Sequence, residues 1–253
     1  MTQAAPSIVS KPRAFPAIVL PAILAPAAVL LARAGSGPIL LPILATLAVY
    51  PILALLITRG RPRAAAFATL LWAASLSASE IALTARRPDV MEPIVLHGAA
   101  YRDEMFDFIR TGQGRESDPA RFLPQHFLHL GAFCLLAFLS AGLLGIALGA
   151  VLVGFMSFYV GSLAAAGGSP ALAFVLGWPP WAILRVVAFV LLGVALAEPL
   201  LLAARRRKHL AAVETSSRRP WYLIAAALLV ADATLKYLLA PSWGTLLRRC
   251  LEP

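Results

Sequence analysis

The chain has 253 residues, of which 60% are hydrophobic and only 13% are charged, whereas an ordinary soluble domain carries roughly 25% charged residues. A mean hydropathy of +0.81 excludes a water-soluble globule, a disordered chain and a small domain held by disulfides. The net charge of +10 does not indicate a nucleic-acid partner, because the basic residues lie mostly in short tracts beside apolar runs. We therefore expect an integral membrane protein in contact with the lipid bilayer.

Seven stretches of the chain have the length of about 20 apolar residues that a helix needs to cross the hydrocarbon core. They predict an all-α fold, a polytopic membrane helical bundle that forms one membrane-embedded domain over residues 1–253. The fourth and fifth stretches join in one uncharged run, 122–168, which predicts a tight helical hairpin that turns near Gly142 and Gly145. The seven predicted spans are 14–33, 37–58, 64–85, 122–143, 145–166, 181–203 and 221–240.

The first stretch also has an alternative interpretation as a cleavable signal peptide. Lys11 and Arg13 precede it, and it ends in Ala32-Arg33-Ala34, which resembles a cleavage site. An uncleaved helix fits better, because the apolar run is long for a signal core and a second span follows almost at once. The run is also interrupted by three prolines, Pro16, Pro21 and Pro26.

The positions of the basic residues predict the orientation of the spans. With a cytoplasmic N-terminus, most of the basic tracts between spans fall in the cytoplasm, as the positive-inside rule requires. The long connection 86–121 then lies outside with mixed charges, and the C-terminus is extracytoplasmic. This pattern suits a multi-pass protein of a bacterial inner membrane. The basic residues placed inside are Lys11, Arg13, Arg59, Arg61, Arg63, Arg205, Arg206, Arg207, Lys208, Arg218 and Arg219.

Within the outer connection, residues 101–110 have the pattern of a short amphipathic helix. Residues 111–114 then break the helix with two glycines, and Asp118 before Pro119 is typical of a cap for the next span. We expect this helix on the outer surface, as a solvated helix, a lid over a cavity, or a docking site for a membrane or periplasmic protein. Its apolar face comprises Met105, Phe108 and Ile109.

Residues 169–180 are apolar but too few to cross a bilayer. They predict a short re-entrant or interfacial segment in which Trp178 and Trp181 anchor the chain at the membrane interface. A hydrophobic loop packed on the outer surface is the alternative.

Small residues recur through the fifth span, where close contact between helices in lipid depends on them. Ala141, Gly145 and Gly149 follow one another at intervals of four residues. We therefore expect the fifth span at the centre of the bundle. This span also carries hydroxyl groups on Ser157, Tyr159 and Ser162. Hydroxyl groups in a glycine-rich span more often form hydrogen bonds to neighbouring helices than line a cavity, so we expect a packing role for them.

Ionisable side chains inside a span are costly, so each is a candidate for a functional site. Five such side chains occur, and two histidines open the fourth span. Most of them fall in the middle or outer half of the predicted bilayer, which predicts a polar cavity that opens outward beneath the connection 86–121. The candidate cavity or binding residues are Glu80, His126, His129, Arg185, Asp232 and Lys236, with Glu198 near the inner face.

Two ion pairs are expected among these residues. Asp232 and Lys236 are four residues apart on one helix in the favourable order, so they can neutralise each other. Arg185 lies roughly 20 Å along an ideal helix from Glu198 and cannot reach it. Glu80, at a matching depth, is then the expected partner of Arg185. Alternatively, the side chains of Arg185 and Lys236 extend to the lipid headgroups and need no partner.

His126 and His129 share one face of a helix and can offer two imidazoles to a metal ion. His97, Glu104 or Asp103 in the outer connection would supply the further ligands. The same imidazoles can instead accept a proton in lipid chemistry, since their ordinary pKa lies near neutral pH. The sequence names no cofactor.

No nucleotide-binding, serine-hydrolase or other catalytic motif is visible, and neither is an internal repeat typical of many transporters. The leading interpretation is a permease-like protein, or an integral subunit of a membrane complex, with a polar cavity built from the intramembrane charges. The alternative is a membrane-embedded enzyme acting on a lipid or lipid-linked substrate in the outer leaflet. In that enzyme His126 or His129 would be the base, and Arg185 would hold a phosphate or carboxylate. A sensor that reads a ligand through the connection 86–121 is a third possibility.

Overall fold

A computed structural model describes residues 15–35, 37–166, 168–209 and 217–251, and these residues fold only into helices and turns. Seven of the helices are long and apolar enough to cross a membrane, namely α1, α2, α3, α6, α7, α9 and α10. The predicted all-α polytopic bundle is therefore confirmed. The helices are α1 (Phe15–Ala34), α2 (Leu40–Thr58), α3 (Pro62–Arg86), α4 (Pro88–Met91), α5 (Gly98–Thr111), α6 (Pro119–Leu139), α7 (Leu143–Ala165), α8 (Pro170–Leu176), α9 (Pro180–Arg207) and α10 (Arg219–Arg248).

Each predicted span coincides with one of these seven helices, and most ends differ by a few residues. The largest difference is in α10, which continues through Pro241 to Arg248. The apolar pattern of the sequence weakens at Pro241 and Ser242, but the helix continues because Leu247 is buried and Trp243 packs on α8 and α9.

The spanning helices alternate in direction. The connection 86–121 and the residues between α7 and α9 therefore lie at one end of the bundle, here called the loop side. The basic residues of 59–63 and 205–207 lie at the other end, here called the arginine side. Lys11 and Arg13, which the orientation also uses, are outside the described residues.

Helix α1 is packed into the bundle against α2 and α3. The hydroxyl of Ser75 on α3 donates a hydrogen bond of 2.6 Å to the carbonyl of Ala22 on α1. Ala25, Ala28 and Ala32 are buried along the same helix, so the two backbones approach closely.

Helix α7 lies at the centre of the bundle, in contact with α2, α3, α5, α6 and α8. Its glycines make this possible. A Cβ added at Gly145 would lie 2.7 Å from Cβ of Ala137 on α6, and one added at Gly161 would lie 2.5 Å from Cβ of Thr84 on α3. The prediction that small residues place the fifth span at the centre is confirmed.

The predicted hairpin between the fourth and fifth spans is also confirmed. α6 ends at Leu139 and α7 begins at Leu143, with Ala141 and Gly142 in the left-handed region at φ of 54° and 94°. The hydroxyl of Tyr50 on α2 donates to the carbonyl of Ala141 at 3.4 Å. The turn is thus enclosed by other helices on the arginine side of the bundle.

The amphipathic helix predicted at 101–110 is α5, one turn longer at its start. It ends at Gly112 with φ of 72°, and the carboxylate of Asp118 accepts a hydrogen bond from the amide of Ala120 to cap α6, as predicted. Its apolar face packs into the bundle, and its charged face is mostly exposed. Met105, Phe108 and Ile109 are buried in one cluster with residues of α7 and α10, so α5 covers the loop side of the bundle.

The short apolar segment forms α8, capped at its start by Ser169. The expectation that Trp181 anchors the chain at the membrane interface is wrong, because its side chain is 4% exposed and packs edge-to-face on Trp243 inside the protein. Trp178 is half-buried with its indole nitrogen buried, and its role as an interface anchor stays a prediction.

Candidate functional site: a mainly apolar cavity with one polar end

A cavity of about 130 Å³ lies between α3, α5, α6, α7, α9 and α10. Along α7 its wall runs from Gly145 to Tyr159, a distance of about 21 Å at 1.5 Å per residue. It therefore extends over about two thirds of the roughly 30 Å hydrocarbon core. Its wall begins at Thr69 and Gly145 toward the arginine side and ends at α5 and the tryptophans of the loop side.

The middle of the cavity has an apolar wall. Gly149 on α7 is a gap in this wall, since a Cβ added there would meet nothing within 4 Å. The apolar wall comprises Trp72, Phe133, Ile146, Leu152, Val153 and Phe189, among others.

The loop-side end of the cavity is polar. Gln125 and His129 are four residues apart on α6 and both line the cavity, because side chains at that spacing share a helix face. His126 lies between them, and α9 and α10 contribute Arg185 and Lys236. Four of the six predicted site residues are thus brought together here. Asp232 lies just behind them, on a smaller cavity of about 70 Å³ that also includes His126 and Arg185.

Both cations at the polar end are held in ion pairs. Nε and Nη2 of Arg185 each donate to a carboxylate oxygen of Asp232 at 2.8 Å, a bidentate geometry that fixes the guanidinium plane. Nζ of Lys236 lies 2.8 Å from a carboxylate oxygen of Glu116 and 4.9 Å from the ring centre of Phe122. Lys236 and Asp232 are almost fully buried.

Both expected pairings are therefore wrong. Asp232 pairs across helices with Arg185 rather than with Lys236 one turn away on α10. Glu80 is not the partner of Arg185, because it lies between α3 and α7, against Gly154, and is not part of the cavity wall. Depth along the membrane does not determine the direction in which a side chain points around its helix axis. As expected, Glu198 does not meet Arg185, and it pairs with Arg218 at 2.7 Å.

The two histidines have different environments. Nδ1 of His126 lies 2.8 Å from the carbonyl oxygen of Phe122, and since a carbonyl only accepts, Nδ1 carries the hydrogen. Nε2 of His126 is buried without a hydrogen-bond partner, 4.0 Å from the carboxylate of Asp232. His129 is only partly buried and lines the cavity. His129 is thus the better placed of the two to meet a bound molecule.

The further metal ligands expected from the outer connection are not near the histidines. Asp103 is paired with Arg102 and Glu104 with Arg115, and His97 precedes α5 in a left-handed conformation at φ of 59°. Within the described ranges no group of three or more histidine, cysteine, aspartate or glutamate residues can hold a metal ion.

The structure adds site residues that the sequence reasoning missed, namely Glu116, Gln125 and Tyr101. The spacing of Gln125 and His129 was a usable signal. The sequence also predicted that the connection 86–121 covers a cavity, but it did not indicate that Glu116 and Tyr101 are the side chains that face it. Burial raises the pKa of the Tyr101 phenol well above its ordinary value, so it is neutral.

The hydroxyls of α7 divide between packing and the cavity. Ser157 donates to Ser77 at 2.9 Å across the α3–α7 contact, as expected for a packing role, whereas the buried Tyr159 lines the cavity.

Comparison of the chain with protein-family models, curated proteins and solved structures gives no match. The fold and the site together define an integral membrane protein, with seven helices among the described residues that are long and apolar enough to span a membrane, and a mainly apolar cavity that has a polar end at the loop side.

Proposed function

We propose that the cavity binds a lipid or lipid-linked molecule and that the protein is a membrane-embedded enzyme acting on the polar group of that molecule. The observation that carries the proposal is the shape of the cavity. An apolar groove about 21 Å long at 1.5 Å per residue ends at Gln125, His129, Arg185 and Lys236. An amphipathic molecule matches both parts of this wall.

A permease for a small polar solute receives less support. That interpretation relies on free charges along the cavity, but Arg185 and Lys236 are already paired and Glu80 lies outside the wall. The walls of the middle section are apolar, which favours an acyl or isoprenoid chain over a hydrated solute.

In this proposal His129 is the general base. A neutral imidazole accepts the proton of an attacking water or hydroxyl as the attacking oxygen bonds to the phosphorus or carbonyl carbon of the ester. It returns that proton to the oxygen that leaves as the old ester bond breaks. Arg185, held in place by Asp232, donates from its remaining nitrogen to an oxygen of the phosphate or carboxylate. Gln125 donates to a second oxygen. The reaction class is therefore transfer or hydrolysis at an ester of a lipid headgroup.

We also propose that the loop side faces the extracytoplasmic space of a bacterial inner membrane. The arginine side carries most of the basic residues that flank the spans, and such residues are retained in the cytoplasm. The polar end of the cavity then lies at the level of the outer leaflet.

Binding is tested by filling the groove. Gly149→Leu places a side chain in the open space of the cavity, whereas Gly131→Leu places the same side chain on an exposed face of α6 where a Cβ also meets nothing. Native mass spectra of protein gently extracted from its membrane should show a retained lipid in the wild type and in Gly131→Leu, and its loss in Gly149→Leu. Equal retention in all three would rule out this cavity as the lipid site.

Catalysis is tested separately with His129→Ala, which leaves the groove intact. If His129 is the base, this variant retains its lipid but accumulates the unreacted form, and the mass of the retained lipid changes relative to the wild type. An unchanged lipid with a stoichiometric protein partner would instead support a subunit of a membrane complex that docks through the connection 86–121.

A further inference from the structure

Four acidic or basic side chains are buried within the described part of the chain: Glu80, Glu198, Asp232 and Lys236. Three of them are in the ion pairs given above. Glu80 differs from the rest, because it is 0% exposed and neither of its carboxyl oxygens has a hydrogen-bond partner.

The carboxyl group of Glu80 lies in the contact between α3 and α7. Its oxygens are 3.7 and 3.8 Å from the position that a Cβ on Gly154 would take, and a methyl group of Val95 is equally close to that position. Helical side chains lean toward the N-terminus of their helix. The carboxyl therefore reaches back toward the preceding turn of α3, where Ser77 is hydrogen-bonded to Ser157 of α7.

An ionised carboxylate in such surroundings would be very unfavourable. Moving an unpaired charge out of water is far costlier than moving a neutral polar group, and buried carboxylates survive only with a cation or several hydrogen bonds. Glu80 has neither among the described residues, whereas Glu198 on α9 has Arg218. A carboxyl that carries a proton avoids this cost.

We propose that Glu80 is a proton-binding site, held as the neutral acid in the contact between α3 and α7. A proton fits better than a divalent cation, because Ca²⁺ and Mg²⁺ require about six oxygen ligands. The oxygens that the structure places in this part of the α3–α7 contact are the two carboxyl oxygens and a few serine and threonine hydroxyls, such as those of Ser77 and Ser157, which are weak ligands for a divalent cation. The site is separate from the lipid cavity, so it does not depend on the function proposed above.

Infrared difference spectroscopy of the full-length protein in lipid nanodiscs at neutral pH tests the proposal. The spectrum of the wild type minus that of Glu80→Gln should contain the carbonyl stretch of a protonated carboxyl group. The matched control is Glu198→Gln, whose difference spectrum should contain carboxylate bands, since Glu198 is paired with Arg218. Carboxylate bands for Glu80 would overturn the proposal. If the frequency of those bands then differed between spectra recorded in a sodium salt and in a choline salt, the site would be assigned to a monovalent cation instead.

Thermal unfolding gives a second measurement. Gln is neutral and has the shape of the protonated acid, so Glu80→Gln should leave Tm within about 2 °C of the wild type. Glu198→Gln leaves Arg218 without its partner and should lower Tm by more. A loss of Tm for Glu80→Gln as large as that for Glu198→Gln would overturn the proposal. If Glu80→Gln does not fold, Glu80→Asp should keep the protonated-carboxyl band at a shifted frequency, and its absence would be equally decisive.

Discussion

Arg185 and Asp232 join α9 to α10 through two hydrogen bonds of 2.8 Å. The carboxylate of Asp232 is 1% exposed, whereas the guanidinium side chain is 24% exposed. A buried pair of this kind adds little net stability compared with apolar residues, but removal of one partner leaves the other buried and uncompensated.

We therefore expect Asp232→Asn to destabilise the protein strongly, by about 3 kcal/mol. Thermal unfolding in nanodiscs should show a lower Tm than that of the wild type. The exposed pair of Arg87 and Asp89 supplies the control, because both side chains are more than half exposed. Asp89→Asn should leave Tm unchanged, since exposed ion pairs contribute little.

The double variant Arg185→Leu with Asp232→Leu removes both charges together. It should recover most of the stability lost in Asp232→Asn, because no charge is left unpaired. If the double variant were as unstable as Asp232→Asn, the unpaired charge of Arg185 would not be the cause of the lost stability.

At the residue scale the sequence indicated which ionisable groups lie near one another more reliably than how they pair. Ionisable side chains within a span can be recognised from the sequence because burying them in the hydrocarbon core is energetically costly and therefore rare. Four of those recognised in this way or beside them, His126, His129, Arg185 and Lys236, line one cavity. Their partners depend on helix rotation and on which helices are neighbours. The depth of a residue in the membrane gives neither the rotation of its helix nor the identity of the neighbouring helices. For that reason Glu80 was assigned to the wrong contact and Glu116 was missed.

Among the elements, the α6–α7 hairpin depends on Gly142. Its φ is 94°, and a Cβ there would lie 2.9 Å from Cβ of Ala197 on α9. Gly142→Ala should lower stability by about 1–2 kcal/mol from the left-handed conformation alone. The measurement is thermal unfolding in nanodiscs.

Gly131→Ala is the matched control for the hairpin. Gly131 lies within α6, and an added Cβ there meets nothing within 4 Å, so alanine should be neutral or slightly stabilising. If both alanine variants behaved alike, the strain at the turn would not be the cause of any loss.

Helix α5 is attached to the bundle through its apolar face. Phe108 is buried, lines the cavity and lies against Gly244 of α10. Phe108→Ala should loosen α5 by roughly 3 kcal/mol of lost packing, and hydrogen exchange of the amides of 98–111 should become faster. Asp107→Ala, at the exposed neighbouring position, should leave their exchange rates unchanged. No change in Phe108→Ala would mean that other contacts hold α5 down.

Hydropathy and turn residues were sufficient to place most of the helices. The runs that became the seven spans, the turn at Gly142 and the end of α5 at Gly112 are all local signals. The last turns of α10 and the burial of Trp181 were not predictable in this way, because they depend on long-range contacts such as the hydrogen bond from Trp243 to the carbonyl of Leu176.

For the whole molecule, the proposed orientation and the one-ended cavity predict which positions a membrane-impermeant thiol reagent reaches. With Cys134 and Cys250 replaced, His129→Cys should react in intact spheroplasts, because His129 lines the cavity at its loop-side end. Glu80→Cys should not react, since Glu80 is fully buried.

Two exposed positions provide the controls for sidedness. Asp107→Cys on α5 should react in intact spheroplasts, and Arg206→Cys on the arginine side should react only after lysis. The reverse pattern would invert the orientation of the protein. If the reagent labelled Asp107→Cys but did not label His129→Cys, α5 would close the cavity to the outer solution.

The paired cations at the polar end have a consequence for the charge of the ligand. Arg185 and Lys236 are balanced by Asp232 and Glu116, so this end of the cavity has no excess positive charge with which to attract an anion from a distance. A zwitterionic or uncharged headgroup enters without changing the electrostatic balance. An anionic headgroup gains only the short-range hydrogen bond from the remaining nitrogen of Arg185, with no net positive charge to attract it. Selection between lipids would then rest on hydrogen bonds at close range and would depend only weakly on ionic strength.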